Sequence, residues 1–170
     1  MSVADRHGIA LAGNWIVDQI KRVDRYPAQD ALATIESVSE CNGGAPYNVT
    51  CDLLKLGATF PLWAIGQVGR DASGEAIGAF LEKENVNSEY LSFHPTAGTS
   101  FTDVMAVGAT GRRTFFHYRG ANAAFDGAAV DFDQVRARHL HLGYLLLLDA
   151  MDATDPEFGG GTDDLPRSRQ

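Results

Sequence analysis

The sequence has few of the features that mark exported, membrane-bound or metal-binding proteins. It contains two cysteines in 170 residues, with no CxxC spacing, so free thiols are favoured over a disulfide or a zinc site. Its longest apolar run, residues 142–148, is far shorter than the roughly 20 residues of a membrane-spanning helix. No basic segment precedes an apolar stretch at the N-terminus, so no secretory signal is indicated. We expect a cytoplasmic protein without a membrane partner.

Basic residues are also scarce. Lysine and arginine number 14 against 22 acidic residues, which gives a formal net charge of −8. Because a nucleic-acid backbone is bound mainly by clustered lysine and arginine, nucleic acid is not an expected partner. The composition, with 45% apolar residues, is that of a globular protein, and a chain of this length forms one domain with a core that needs no disulfide.

Apolar segments alternate with amphipathic ones. Short apolar runs predict strands at 9–12, 14–23 and 60–69, and apolar spacing predicts a helix over 73–85. The segment 41–57 reads as a glycine turn followed by a helix from Pro46, preceded by an extended stretch at 32–38. A hairpin is expected from 99–107 and 112–118, then a helix over 131–138 and a strand over 139–148. Strands that alternate with helices predict an α/β fold.

Gly43-Gly44 before the Pro46 helix is the most informative local feature. Backbone without side chains beside a helix N-terminus lets a polar ligand approach exposed N–H groups, although such a pair is more often a simple turn. The spacing matches neither the dinucleotide GxGxxG pattern nor the P-loop. A nucleotide-binding oxidoreductase therefore has only the α/β pattern in its favour.

The order of these pieces carries a resemblance. Gly13-Asn14 with Asp18, then GGAPYN at 43–48, then GQVGRDASG at 66–74, RGAN at 119–122 and HLG at 141–143 together resemble the N-terminal half of the ribokinase, or PfkB, carbohydrate kinase family. The resemblance covers about 9–155. It implies a ribokinase-like three-layer α/β/α sandwich with a small β-sheet lid that closes over a sugar.

The same resemblance implies the domain organisation. Residues 1–158 would be the N-terminal portion of a kinase domain, with lid strands at about 13–26 and 99–118. Residues 159–170, rich in Gly, Asp and Pro without apolar periodicity, read as a disordered or aberrant tail.

The resemblance also implies a substrate site. Asp18 would accept hydrogen bonds from sugar hydroxyls, Gly43 and Gly44 would let the sugar lie against backbone, and Asn48 would bind another hydroxyl. Arg119 occupies a place where relatives that act on keto-deoxy sugar acids have an arginine for the carboxylate, but it could equally close the hairpin through a surface ion pair.

Three departures from ribokinases argue against ribose. Ile16 stands where they have an asparagine, Ala45 where they have a lysine, and Gly143 where they have a sugar-binding glutamate. The ligand expected is therefore another small sugar or a sugar acid. His117, His139 and His141 raise the question of a metal site. His139 and His141 alternate on one strand without an evident third ligand, so packed or surface histidines are favoured and no metal site is expected.

The resemblance implies ATP and Mg²⁺ as cofactors of an intact kinase, but their motif is not matched. In the family a later DTxGAGD motif supplies the catalytic base and the anion hole, and the GGGTDD of 159–164 lacks its leading residues. We expect a truncated chain that is catalytically inactive and binds no cofactor. The alternatives are a non-catalytic sugar-binding module or a homodimer formed through the lid.

Overall fold

The computed structural model describes residues 6–153, which form two four-stranded β-sheets, two longer helices and several short turns. The first sheet is parallel throughout and contains β1 (Ile9–Gly13), β4 (Leu62–Gly69), β5 (Asn87–His94) and β8 (His139–Gly143). Its strand order is β5-β4-β1-β8. A parallel sheet of this kind is buried on both faces, which explains the continuous apolar composition of β1 and β4.

The second sheet, which we call the lid, contains β2 (Ile16–Val23), β3 (Ile35–Gly43), β6 (Phe101–Val107) and β7 (Arg113–Tyr118). Its order is β3-β2-β6-β7, with β2 and β6 parallel and the two outer pairs antiparallel. Strands β2, β6 and β7 lie within the ranges 13–26 and 99–118 that were expected for the lid. Strand β3 lies outside those ranges and is a further strand of the same sheet.

Two helices cover one face of the first sheet. α1 (Ala45–Lys55) begins with Pro46 in its first turn, and α2 (Ala72–Lys83) begins at the Asp71 cap, whose carboxylate accepts from Gly74 N at 2.9 Å. Ile77 and Leu81 of α2 are buried against the sheet. This face contains the larger of the two hydrophobic clusters.

The other face is covered by the segment 120–138 and by residues after β8. A 3₁₀ turn (Gly120–Ala124) and the one-turn helix α3 (Asp149–Asp152) lie in these parts. Phe125, Val135 and Leu148 pack there in a second apolar cluster with Trp63 and Ile65. The fold class predicted from the sequence, a ribokinase-like α/β sandwich with a lid, is confirmed.

Two predicted elements after the hairpin are wrong. Residues 131–138 form turns, because the Asp131 carboxylate accepts from Asp133 N and its carbonyl accepts from Gln134 N, a local pattern that competes with a helix. The strand expected over 139–148 ends at Gly143, since Tyr144 and Leu146 have φ values of 55° and 73° that no strand can contain.

The start of the glycine segment also differs from expectation. Cys41 and Asn42 are not in a turn, because they pair with Asp18 and Val17 in the lid, and only Gly44 separates β3 from α1. Strand β5 was not expected from the sequence. The tail at 159–170 lies outside the described residues. Between residues 6 and 153, no helix is long and apolar enough to cross a membrane.

Candidate functional site

The strand order of the first sheet has a switch point, the place where α/β folds have their ligand crevice. From β1 the chain goes to β4 on one side, and it later returns to β8 on the other side. Ligands of α/β sheets bind outside the carboxyl ends of strands at such a switch point. Here those ends are Gly13 of β1 and Gly143 of β8, which pair with each other.

Gly44 connects the lid to this crevice. It is the N-cap of α1 and has a φ of 90°, a conformation that side chains disfavour. A Cβ at this position would also overlap the carbonyl oxygen of Asn14, which follows β1. A glycine is therefore required here, and it brings the N-terminus of α1 against the end of β1.

Gly43, at the end of lid strand β3, lies against Asp18 of the neighbouring lid strand β2. A Cβ on Gly43 would overlap Asp18 Oδ2, so the carboxylate lies directly on the glycine backbone. The Gly43 backbone is buried and Asp18 is half-buried. The structure thus brings together three of the five residues predicted from the sequence: Asp18, Gly43 and Gly44.

The surroundings of Asp18 act on its charge in opposite directions. Burial raises the pKa of this carboxyl above its ordinary value, and a hydrogen bond from the Thr102 side chain with the charges of His117 and Arg113 partly offsets that rise. A carboxylate with incomplete solvation gains from a ligand that donates hydrogen bonds to it. The site is therefore suited to hydroxyl groups.

Asn48 lies in the first turn of α1 and is exposed. Its backbone N–H donates to Gly44 O at 3.0 Å, so its position follows from that of Gly44. The side-chain amide is available to solvent at the N-terminal end of the helix.

The sequence did not decide between two partners for Arg119, a substrate carboxylate and a surface ion pair. Arg119 Nη1 donates to Leu146 O at 2.8 Å and to Asp149 Oδ1 at 2.6 Å. This ion pair joins the end of β7 to the start of α3, and both side chains are substantially exposed, at 41% and 53%. The structure thus shows the surface ion pair that was one of the two alternatives for Arg119.

Sequence reasoning did not assign Thr102 and His117 to the site. In the lid Asp18 pairs with Thr102, and Thr102 pairs with His117, so the three side chains lie on one face of the sheet. Thr102 Oγ1 and His117 Nδ1 are 2.9 Å apart. The register of the β6–β7 hairpin could have predicted from the sequence that Thr102 pairs with His117. The parallel pairing of β2 with β6, which brings Asp18 beside Thr102, has no signal in the sequence.

Asn14 is a further residue of this region. It is fully buried, and neither its side-chain nitrogen nor its side-chain oxygen has a hydrogen-bond partner among residues 6–153. Asn122 is fully buried as well, and its Nδ2 donates to Trp15 O at 3.1 Å, which fixes the chain between β1 and the lid. Two buried amides thus lie close to the chain between β1 and the lid.

Comparison with known proteins assigns the family. Residues 6–155 match the model of the pfkB family carbohydrate kinases. Fructokinase-2 of Zea mays is 33% identical over 131 residues, which are 74% of this chain and 38% of that protein. The ATP-dependent ribose-1-phosphate kinase of Halopiger xanaduensis is 32% identical over 130 residues, 76% of this chain and 42% of that protein.

Solved structures agree on the fold. The Arabidopsis thaliana ribokinase complexed with ribose and ATP superposes with a TM-score of 0.68 at 22% identity, over 81% of this chain and 45% of that one. The chain thus spans less than half the length of the relatives that it matches. The family match extends over all of the described residues, and the chain belongs to the pfkB family of carbohydrate kinases.

Proposed function

We propose that this chain is the sugar-binding part of an ATP-dependent carbohydrate kinase, an enzyme that transfers phosphate to a sugar hydroxyl. One observation carries the proposal. The Asp18 carboxylate lies on the Gly43 backbone, beside the start of α1 and the switch point of the parallel sheet. Family membership supplies the reaction class.

The residues suit the binding of a polyhydroxylated ligand. A carboxylate such as that of Asp18 accepts from two hydroxyls at once, and an amide such as that of Asn48 both donates and accepts. Gly43 and Gly44 have no side chains that would keep a sugar ring from the backbone. Together these groups would bind one face of a sugar between lid and sheet.

Arg119 would be the residue that contacts a sugar acid. Its guanidinium is already paired with Asp149, so a substrate carboxylate would have to displace or share that partner. A neutral sugar has no carboxylate and would not have to compete with Asp149 for Arg119. We therefore place neutral sugars ahead of sugar acids as ligands, with Arg119 at the rim of the site.

Within residues 6–153 no group of three or more His, Cys, Asp or Glu side chains is placed to hold a metal ion. The glycine-rich segment at 159–164, the nearest sequence match to the family's phosphate-binding motif, lies outside the described residues. We therefore propose that the 170-residue chain binds sugar but does not by itself transfer phosphate.

Calorimetric titration of the 170-residue chain with D-fructose, D-ribose and 2-keto-3-deoxygluconate tests this proposal. We expect binding of a neutral sugar that is lost in Asp18→Asn and retained in Asp52→Asn, which removes an exposed carboxylate from α1. A coupled assay of ATP consumption with the same sugars should show no turnover. Robust turnover, or equal binding by the two variants, would contradict the proposal.

A second copy of the chain is the partner that we propose. The outer face of the lid has a hollow of about 480 Å³ whose lining includes exposed apolar side chains. Tyr26, Ile35 and Phe116 line it and are each about half exposed. Apolar surface of this kind is stabilised when a partner covers it. The acidic net charge supports the further proposal that neither nucleic acid nor an anionic membrane surface is a partner. We also propose a cytoplasmic location, as the sequence analysis expects.

A further inference from the structure

A line of three polar side chains crosses the lid on the face that carries Asp18. The residues are Asp18 on β2, Thr102 on β6 and His117 on β7, paired directly across neighbouring strands. Adjacent strands lie about 4.8 Å apart, so Asp18 and His117 stand roughly 10 Å apart at their backbones. This distance is close to the width of a sugar ring with its hydroxyl groups, so one ligand can reach both ends of the line.

The hydrogen bonds along this line determine which ring nitrogen of His117 carries the proton. The Thr102 side-chain hydrogen bond favours the charged form of Asp18, so the hydroxyl donates its single proton to that carboxylate. We therefore assign the Thr102 oxygen as the acceptor for His117 Nδ1, 2.9 Å away, which makes Nδ1 the protonated nitrogen of the neutral ring. The other nitrogen, Nε2, retains a free lone pair.

His117 Nε2 is buried and has no hydrogen-bond partner in the part of the chain that the structure describes. An unpaired buried acceptor destabilises the protein, so it gains from a ligand that supplies a donor. Burial also lowers the pKa of His117, and so does the positive charge of Arg119. Asp18, Asp149 and the Phe101 backbone act in the opposite direction without reversing the shift. The imidazole is consequently neutral at physiological pH.

We propose that His117 is a second ligand-binding residue of the site, whose Nε2 accepts a hydrogen bond from a sugar hydroxyl while Thr102 fixes its orientation. This inference rests on the proposed sugar-binding function. The lid then presents two acceptors, Asp18 and His117, and thus selects a neutral sugar with two hydroxyl donors. A carboxylate in place of one hydroxyl would meet a lone pair and a nearby negative charge.

Two substitutions separate the acceptor from the shape of the side chain. His117→Gln retains an acceptor near the position of Nε2 but does not titrate, whereas His117→Phe retains the ring without an acceptor. We expect D-fructose to bind His117→Phe about tenfold more weakly than the unchanged chain, and His117→Gln to retain most of the affinity.

The pH profile adds a readout that a merely structural role would not give. As the pH falls below 6.5 and through the lowered pKa of His117, the ring becomes protonated, Nε2 turns from acceptor to donor, and the affinity of the unchanged chain should fall. His117→Gln should lack this step and retain only the change that comes from Asp18. The role of His117 would be overturned if the unchanged chain and His117→Gln lost affinity identically in acid. It would also be overturned if His117→Phe bound D-fructose as tightly as the unchanged chain.

Thr102 provides a route that does not depend on the folding of His117→Phe. Thr102→Val removes the hydroxyl that orients the ring, and Thr102→Ser restores it, so the first should weaken D-fructose binding several-fold and the second should recover it. Failure of Thr102→Ser to recover binding would contradict the orienting role. If the unchanged chain binds neither D-fructose nor D-ribose, the sugar-binding function itself is wrong, and His117 has no such ligand.

Discussion

The Asp18 carboxylate rests on the α-carbon of Gly43, so closely that any side chain at position 43 would occupy the place of Oδ2. One residue comes from β2 and the other from the end of β3, which are neighbouring strands of the lid. Gly44, the next residue, is the N-cap of α1. The carboxylate therefore lies one residue away from the start of that helix.

Gly43→Ala should displace the Asp18 carboxylate and abolish sugar binding. A Cβ would overlap the carboxyl group, so either the Asp18 side chain or the β3 backbone must shift. We also expect a loss of stability of about 1–3 kcal/mol, the usual cost of extra volume at a packed position. Titration with D-fructose and chemical denaturation measure the two effects.

Gly78→Ala is the matched control for that substitution. Gly78 lies inside α2, and a Cβ there meets nothing within 4 Å. Alanine at such a helical position should raise the stability by up to about 1 kcal/mol and leave sugar binding unchanged. Loss of binding in both variants would show that the effect at position 43 is not specific to the site.

Asp71 should make the stability of the chain depend on pH in acid. Burial alone would raise the pKa of its carboxyl, but hydrogen bonds from Thr99 and Gly74 outweigh burial and hold the pKa below the ordinary 3.8. The stabilisation is therefore fully present above pH 3.8 and is lost as the pH falls through the lowered pKa.

Asp71→Ala isolates this effect. The carboxylate accepts from Gly74 N, Thr99 N and Thr99 Oγ1, so its removal should cost at least the 0.5–2 kcal/mol or so of a typical helix cap. Denaturation curves of both proteins from neutral to acid pH measure the difference. If Asp71 acts as described, the two curves converge in acid; a constant difference would contradict it.

Cys41 should report on occupancy of the site. It is exposed and pairs with Asp18 across β2 and β3, and burial with the charges of Asp18 and Glu40 raises the pKa of its thiol. Because the thiolate is the nucleophile, iodoacetamide should modify it slowly at neutral pH and faster as the pH rises. D-fructose should slow the modification by covering this face of the lid.

Cys51 of α1 is the internal control for that experiment. Mass spectrometry of the two cysteine peptides gives both rates in one sample. Protection of Cys41 with an unchanged rate at Cys51 is the expected outcome. Equal protection of both thiols would instead indicate a general tightening of the protein.

Association of two chains through the lid should depend on Phe116. This side chain is half exposed and lines the hollow on the outer face of the lid. Phe116→Ser should shift sedimentation from dimer to monomer, because it removes apolar area from the proposed contact. Phe132→Ser, which alters an exposed phenylalanine outside the lid, should leave the dimer intact. A chain that is monomeric at high concentration before any substitution would refute the dimer.

Several helices and strands could be predicted from short stretches of the sequence. Pro46 and the glycines before it predicted α1, the spacing of Ile77 and Leu81 predicted the buried face of α2, and the turn at 108–111 predicted the hairpin of β6 and β7. The errors also have local causes. Asp131 caps a turn through its own side chain, and the positive φ of Tyr144 ends β8 within an apolar run that has no turn signal.

The sequence by itself determined the family and the α/β class, because the motifs and their order along the chain are visible without a structure. It also predicted Asp18, Gly43 and Gly44 as sugar-binding residues, and the structure places these three close together. Only the tertiary structure decided that Arg119 pairs with Asp149 and that Thr102 and His117 stand in line with Asp18. The physical reason is the parallel pairing of β2 with β6, which joins strands about 80 residues apart along the chain. No turn between them sets that register, so it depends on how the lid packs.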